Sequence, residues 1–144
     1  MKISTKGRYA LRMLIDLAEH QNEGYISLKE IAERQNISKK YLEQIIPVFH
    51  STDILRTVRG SQGGYVLGRA PNKITVGEIL RYTEGSLSPV ECVEDPIGCS
   101  RSIDCATLPV WQGLSRVIST YLDGITLQDL LDQQRESYSN NYVI

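Results

Sequence analysis

The sequence predicts a mainly α-helical fold carrying one short β-hairpin. Apolar residues recur at helical spacing behind Ser or Thr caps at Ser4, Ser27, Ser38 and Thr75. Two β-branched or aromatic runs, Leu55–Arg59 and Tyr65–Leu67, flank the glycine-rich turn Gly60–Gly64. Near the C-terminus, Val110, Leu114, Val117, Ile118, Tyr121 and Leu122 form an apolar stripe on a helix of about four turns, long for a globular domain.

Ser4 or Thr5 caps a first helix whose Ala10, Leu11, Leu14, Ile15, Leu17 and Ala18 face a core, and Gly24 ends the connection after it. Ser27-Leu-Lys-Glu30 is a capping box, in which hydroxyl and carboxylate satisfy reciprocal backbone donors; it opens a short helix carrying Leu28, Ile31 and Ala32. Asn36 makes the turn, and Ser38 caps a further helix with Tyr41, Leu42, Ile45 and Ile46, the arrangement of a helix-turn-helix. Pro47 removes a backbone donor and predicts a kink or restart, with Val48, Phe49 and Ile54 continuing the core. A hairpin placed directly after a helix-turn-helix reads as a wing. Thr75-Val-Gly-Glu78 is a second box, starting a helix through Ile79, Leu80 and Tyr82 that Gly85 closes. Thr126-Leu-Gln-Asp129 is expected to begin a short last helix, and the tail from Ser137 lacks helical periodicity, leaving Tyr138 and Tyr142 to pack or fray.

The net charge of -1 hides a division. Residues 1–80 hold 12 Lys and Arg against 8 Asp and Glu, net +4, and residues 81–144 hold 4 against 9, net -5. A basic first half suits nucleic-acid contact, although differently solvated faces would give the same balance. With no basic start leading into an apolar run and no stretch of about 18 apolar residues, neither export nor membrane spanning is expected, and the chain is expected in the cytoplasm. An enzyme needs a nucleophile, a base and an orienting group; His20 and His50 stand apart and the glycine-rich turn has no phosphate-binding lysine, so none is expected.

The chain has 3 cysteines, all inside Cys92-Val-Glu-Asp-Pro-Ile-Gly-Cys99-Ser-Arg-Ser-Ile-Asp-Cys105. An odd number in a reducing compartment points away from disulfides and toward metal or redox chemistry. Thiolates suit soft centres, and the intervals are too wide for the close pair of a zinc knuckle but allow a loop to wrap an iron-sulfur cluster. Three thiols without metal are the plainer alternative. On the DNA side, a recognition helix offers its first two turns to the major groove, where Gln pairs with adenine, Glu accepts from cytosine, and Lys neutralises phosphate. Lys39, Lys40, Tyr41, Glu43 and Gln44 fit that scheme, with Leu42, Ile45 and Ile46 turned inward. Arg59, at the tip of the wing beside Ser61 and Gln62, suits the minor groove.

Three segments, Met1-Lys-Ile-Ser-Thr-Lys-Gly-Arg-Tyr-Ala10, Ile37-Ser-Lys-Lys-Tyr-Leu-Glu-Gln44 and Val58-Arg-Gly-Ser-Gln-Gly-Gly-Tyr-Val-Leu-Gly68, resemble the hallmarks of the winged-helix regulators of the IscR, NsrR and CymR type, and the resemblance runs to about Leu131. The cysteine triad resembles the cluster-binding IscR type; the opening is also similar to the CymR type, which lacks the triad.

This resemblance implies a winged helix-turn-helix DNA-binding domain over 1–82, a cluster-binding loop over 83–106, and a long C-terminal dimerisation helix and tail over 107–144. It implies Cys92, Cys99 and Cys105 as ligands of a cluster, [2Fe-2S] favoured over [4Fe-4S]. It also assigns Glu43 to operator discrimination, Gln44 to a base and Arg59 to the wing contact. Lys40 departs from the small polar residue of the IscR type. The family's fourth ligands do not carry over, because Leu108 and Arg8 occupy those positions; Glu91, Glu94, Asp95, Asp104 and Thr107 are the nearby donors, with an exogenous thiol or water as the alternative. The implied function is a transcriptional regulator, a repressor of cluster-assembly or cysteine-metabolism genes, working as a homodimer on a palindromic operator in double-stranded DNA. A nitric-oxide-responsive or zinc-binding regulator of the same build is the alternative.

Overall fold

A computed structural model describes residues 1–142. The order is α1 (Thr5–Glu19), α2 (Leu28–Gln35), α3 (Lys39–Ile45), a 3-10 turn (Ile46–Phe49), β1 (Leu55–Val58), β2 (Gly64–Leu67), a 3-10 turn (Pro71–Lys73), α4 (Val76–Glu84), one-turn α5 (Glu91–Glu94), a 3-10 turn (Pro96–Gly98), α6 (Leu108–Asp123) and α7 (Leu127–Tyr142). The mainly helical winged architecture is the expected one.

Helix α1 is the central post of the core. Ser4, not Thr5, is its cap, accepting from the Gly7 N–H at 3.1 Å, and Ala10, Met13, Leu14 and Leu17 bury its inner face. The Ser27–Glu30 box forms in full at the head of α2. Asn36 takes the left-handed conformation (φ 53°), alone among the non-glycine residues described, and so turns the chain between α2 and α3. Ser38 caps α3 by accepting from the Tyr41 N–H at 3.1 Å, and Pro47 restarts the backbone as a 3-10 turn that buries Phe49.

Asp16, 1% exposed, is the carboxylate that fastens α2 to α1. Arg34 donates to both its oxygens at 3.0 and 2.7 Å, and Gln35 donates at 3.0 Å. A buried carboxylate is tolerated only when its lone pairs are met in this way.

The wing is an antiparallel pair with Leu55 opposite Leu67 and Val58 opposite Gly64. A lone hairpin is marginal in water; here β2 is stitched to the segment before α2 by Ile26 and Tyr65, whose backbones exchange bonds of 3.0 and 2.8 Å. A Cβ on Gly64 would sit 2.3 Å from the Ile26 oxygen, which is why glycine stands at the start of β2.

The structure alters three expectations. Glu78 does not complete a box with Thr75: Thr75 Oγ1 accepts from the Glu78 N–H at 3.1 Å, but the Glu78 carboxylate pairs with Arg69 instead, a charge-assisted contact stronger than one to a neutral amide. The last helix is long rather than short, 16 residues. Thr126 and Asp129 form its box, and Leu127 and Leu131 lie fully buried, Leu127 in the core with α1. Once those turns are nucleated, each further residue adds a backbone bond, so the helix runs through the polar tail without an apolar face. Tyr138 is exposed on it, and the side chain of Tyr142 lies outside the described residues. Thirdly, the stripe of α6 divides. Ile118 and Leu122 pack with Ile125 against Val76, Leu80 and Leu87, whereas Val110, Leu114, Val117 and Tyr121 are 59%, 41%, 65% and 68% exposed on another face. No described helix is long and apolar enough to cross a membrane.

Candidate nucleic-acid interface and thiol segment

Helical periodicity sorts the side chains of α3. Leu42 and Ile45 are fully buried, Ile46 beyond them is buried too, and Lys39, Lys40, Glu43 and Gln44 are exposed on the outer face. Tyr41 is half-buried, its ring set edge-on against Tyr9 at 5.3 Å between centroids. Arg12 lies over the other part of this stack, 5.3 Å from the Tyr9 ring, and binds Gln35 at the end of α2. Tyr41 therefore steadies α3 against α1 at the border of the outer face.

Arg59, Ser61 and Gln62 are exposed in the loop between β1 and β2. Gly60 has φ 116°, and a Cβ on Gly63 would meet the Val58 oxygen at 2.1 Å, so the turn closes tightly only with these glycines. Between α3 and the wing runs an open cleft of about 890 Å³, lined among others by Lys29, Lys39, Glu43, His50, Arg56 and Arg59. Four of these carry positive charge at neutral pH against one carboxylate, the balance a phosphate backbone requires. Lys29 and Arg56 were not singled out in the sequence. Their signals were present: Lys29 follows the cap of α2 by two residues, and Arg56 is the exposed neighbour of buried Leu55 on β1.

The thiols lie in the segment joining α4 to α6. Cys92 is on α5, Cys99 follows the turn Pro96–Gly98, and Cys105 precedes α6; all are free and partly exposed. Cys92 and Cys99 share a hollow of about 460 Å³ with Glu91, Glu94 and Asp95. Cys105 opens on another of about 420 Å³ with Arg101, Asp104 and Thr107. Among the described residues no three His, Cys, Asp or Glu side chains gather as a metal site.

Two details bear on the donors. Thr107 Oγ1 lies 3.3 Å from Cys105 Sγ, and this hydroxyl, with the Thr107 and Leu108 N–H groups at the head of α6 and the charge of Arg101, holds the Cys105 thiol below its ordinary pKa. Asp95 already caps the Gly98 N–H at 3.1 Å. His50 lines the cleft between α3 and the wing and His20 pairs with Glu23, so neither histidine accompanies the thiols. Ile97 and Ile103 are 95% and 93% exposed, so apolar packing does little to hold the segment in one form. Three soft thiols ringed by carboxylates fit a soft metal centre in donor chemistry; gathering them requires the segment to close.

Comparison with known proteins places this arrangement. The model of the Rrf2 family, described as an iron-dependent transcriptional regulator, matches residues 3–133. CymR, an HTH-type transcriptional regulator of Bacillus subtilis, is 42% identical over 141 residues, covering 96% of this chain and 97% of that protein. IscR of Aliivibrio salmonicida is 40% identical over 131 residues, covering 91% of this chain and 77% of its own length. The solved structure of T. potens IscR superposes with a TM-score of 0.76 at 42% identity, covering 95% of this chain and 90% of that one.

Proposed function

Because the chain belongs to the Rrf2 family of transcriptional regulators and is not an enzyme, we propose that it is a DNA-binding repressor whose operator affinity depends on an iron-sulfur cluster held by Cys92, Cys99 and Cys105. The observation that carries this is the confinement of every cysteine, all of them free, to the one segment linking the winged domain to α6. IscR relatives and the family's description as iron-dependent support the same cofactor; [2Fe-2S] is favoured over [4Fe-4S].

On the duplex, α3 enters the major groove. Gln44 bonds adenine and Glu43 accepts from cytosine, Lys39 and Lys40 neutralise phosphate, and Tyr41 approaches the backbone at the border of the face. Arg59, with Ser61 and Gln62, addresses the minor groove beside it. The exposed row Val110, Leu114, Val117 and Tyr121 supplies a face for a second copy. A twofold pair then matches a palindromic operator, and joining two half-sites raises affinity through effective concentration.

When bound, a cluster supplies a cross-tie that depends on iron and redox state. Cys92, Cys99 and Cys105 would hold it, with Glu91, Glu94, Asp95, Asp104 and Thr107 as the available fourth donors. For occupancy to regulate, it must favour one conformation of segment 92–105 over another.

A second reading is a cysteine-metabolism regulator that uses the thiols without a metal. Likeness to CymR, the global cysteine regulator of Bacillus subtilis, favours its cysteine-metabolism part, and the lowered pKa of Cys105 favours a reactive thiolate. Zinc-binding and nitric-oxide-responsive variants of the first reading differ only at the thiols. Protein purified without oxygen separates them: the cluster reading predicts visible absorption with iron and sulfide, whereas zinc is colourless. A colourless, iron-free protein that resists reconstitution would leave the zinc and thiol readings, which zinc analysis tells apart.

A further inference from the structure

The base of the wing is knotted by one side chain that the operator contacts leave aside. Beyond the last strand pair, the Gly68 N–H donates to the Ile54 carbonyl at 2.8 Å, and the register carries on to Asp53 opposite Arg69. A Cβ on Gly68 would stand 2.0 Å from the Asp53 oxygen, so glycine permits this close approach. Arg69 then reaches three ways. Its Nε is 2.9 Å from Asp53 Oδ1, off the direction of its N–H, so the two are joined by charge rather than by a hydrogen bond. Nη1 donates to the Lys73 carbonyl at 2.8 Å, and Nη2 pairs with Glu78 on α4. One turn further along α4, Arg81 grips Asp123 at the end of α6 with bonds of 2.6 and 2.9 Å.

We infer that Arg69 is a positioning residue for the wing: its three anchors set the angle at which the hairpin presents Arg59 to the duplex, and Glu78 ties that angle to α4 and so to α6. The lever is long. From the Asp53–Arg69 pair to the tip is roughly six residues, about 20 Å at strand rise, so a tilt of about 10° at the base displaces Arg59 by about 3 Å. That exceeds the tolerance of a hydrogen bond. Leu55, Tyr65 and Leu67 pack the hairpin's base on the core, but the other backbone tie is the bridge at Ile26 and Tyr65, which acts on one strand only. The inference rests on reading Arg59 as a duplex contact.

A double-mutant cycle tests it, using the full chain and a duplex selected by the wild-type protein from a random-sequence pool. Arg69→Gln is expected to weaken binding by about fivefold or more in the wild-type background, but by less than about twofold when Arg59→Ala is already present. Arg69→Lys should recover only part, since an ammonium cannot reach three partners in a plane. Equal losses in both backgrounds would mean general destabilisation and would overturn the inference. If Arg69→Gln fails to fold, Glu78→Gln, which leaves the Asp53 and Lys73 contacts in place, enters the same cycle with the same two outcomes. If Arg59→Ala alone leaves binding unchanged, the duplex reading of the wing fails instead.

Discussion

Leu42 and Gln44 stand two residues apart on α3, one wholly buried and the other open to solvent. That difference follows from helical spacing alone, so the outer face of α3 was legible in the sequence. Replacing Gln44 by Ala should cost about 1–3 kcal/mol on the preferred duplex and relax its base preference, whereas Lys39→Ala should weaken all duplexes alike and lower the salt slope by about 1. Titrations at several salt concentrations distinguish the two; identical behaviour of both variants would contradict the assignment. Lys29 and Arg56 were harder to see because they come from separate elements, and the bridge of β2 to Ile26, just before α2, brings them to one cleft. At the thiols, Cys105→Ser should lose the iron of protein prepared without oxygen, and full retention would remove Cys105 from the ligand set.

At the scale of elements, local chemistry decided most boundaries. Ser4, Ser27, Ser38 and Thr75 all accept from the N–H three residues on, where the cap pattern placed them. Ser27→Ala should therefore lower stability by about 1 kcal/mol, read as a shifted urea midpoint with an unchanged slope. The pattern failed where a partner distant in sequence intervened. Arg69 draws Glu78 away from its box, and the buried Leu127 and Leu131 extend α7 past the point where polar residues suggested an end. The pairing of Arg81 with Asp123 is another such long-range contact. Its hydrogen bonds and charge hold the Asp123 carboxyl below the ordinary range, so the pair contributes above the unfolded carboxylate pKa of about 3.9 and is lost as pH falls through the lower folded value. Both partners are more than a third exposed, and solvent screening keeps the effect small. Melting of wild type against Asp123→Asn should show a gap at neutral pH that closes in acid.

For the whole molecule, the charge division of the sequence matches the layout of the fold, with the basic half forming the cleft and the acidic half carrying the thiol segment and α6. The apolar stripe of α6 announced a helix, but not that the stripe would serve two faces. One of these packs under α4 and the other stays open. Val117→Asp, at a side chain 65% exposed, should leave the subunit folded, shift the protein to a monomer in sedimentation, and weaken operator binding. A folded dimer would contradict the proposed α6 interface. The grouping of thiols was plain in the sequence, whereas their arrangement was not, because in a segment of single turns with exposed Ile97 and Ile103 apolar packing does little to impose a shape. The most direct measurement is the affinity of one anaerobic preparation for its selected duplex, before and after removal of its iron. The proposed switch predicts iron-loaded protein and a change of about fivefold or more on iron removal; equal affinities on every duplex tried would contradict it.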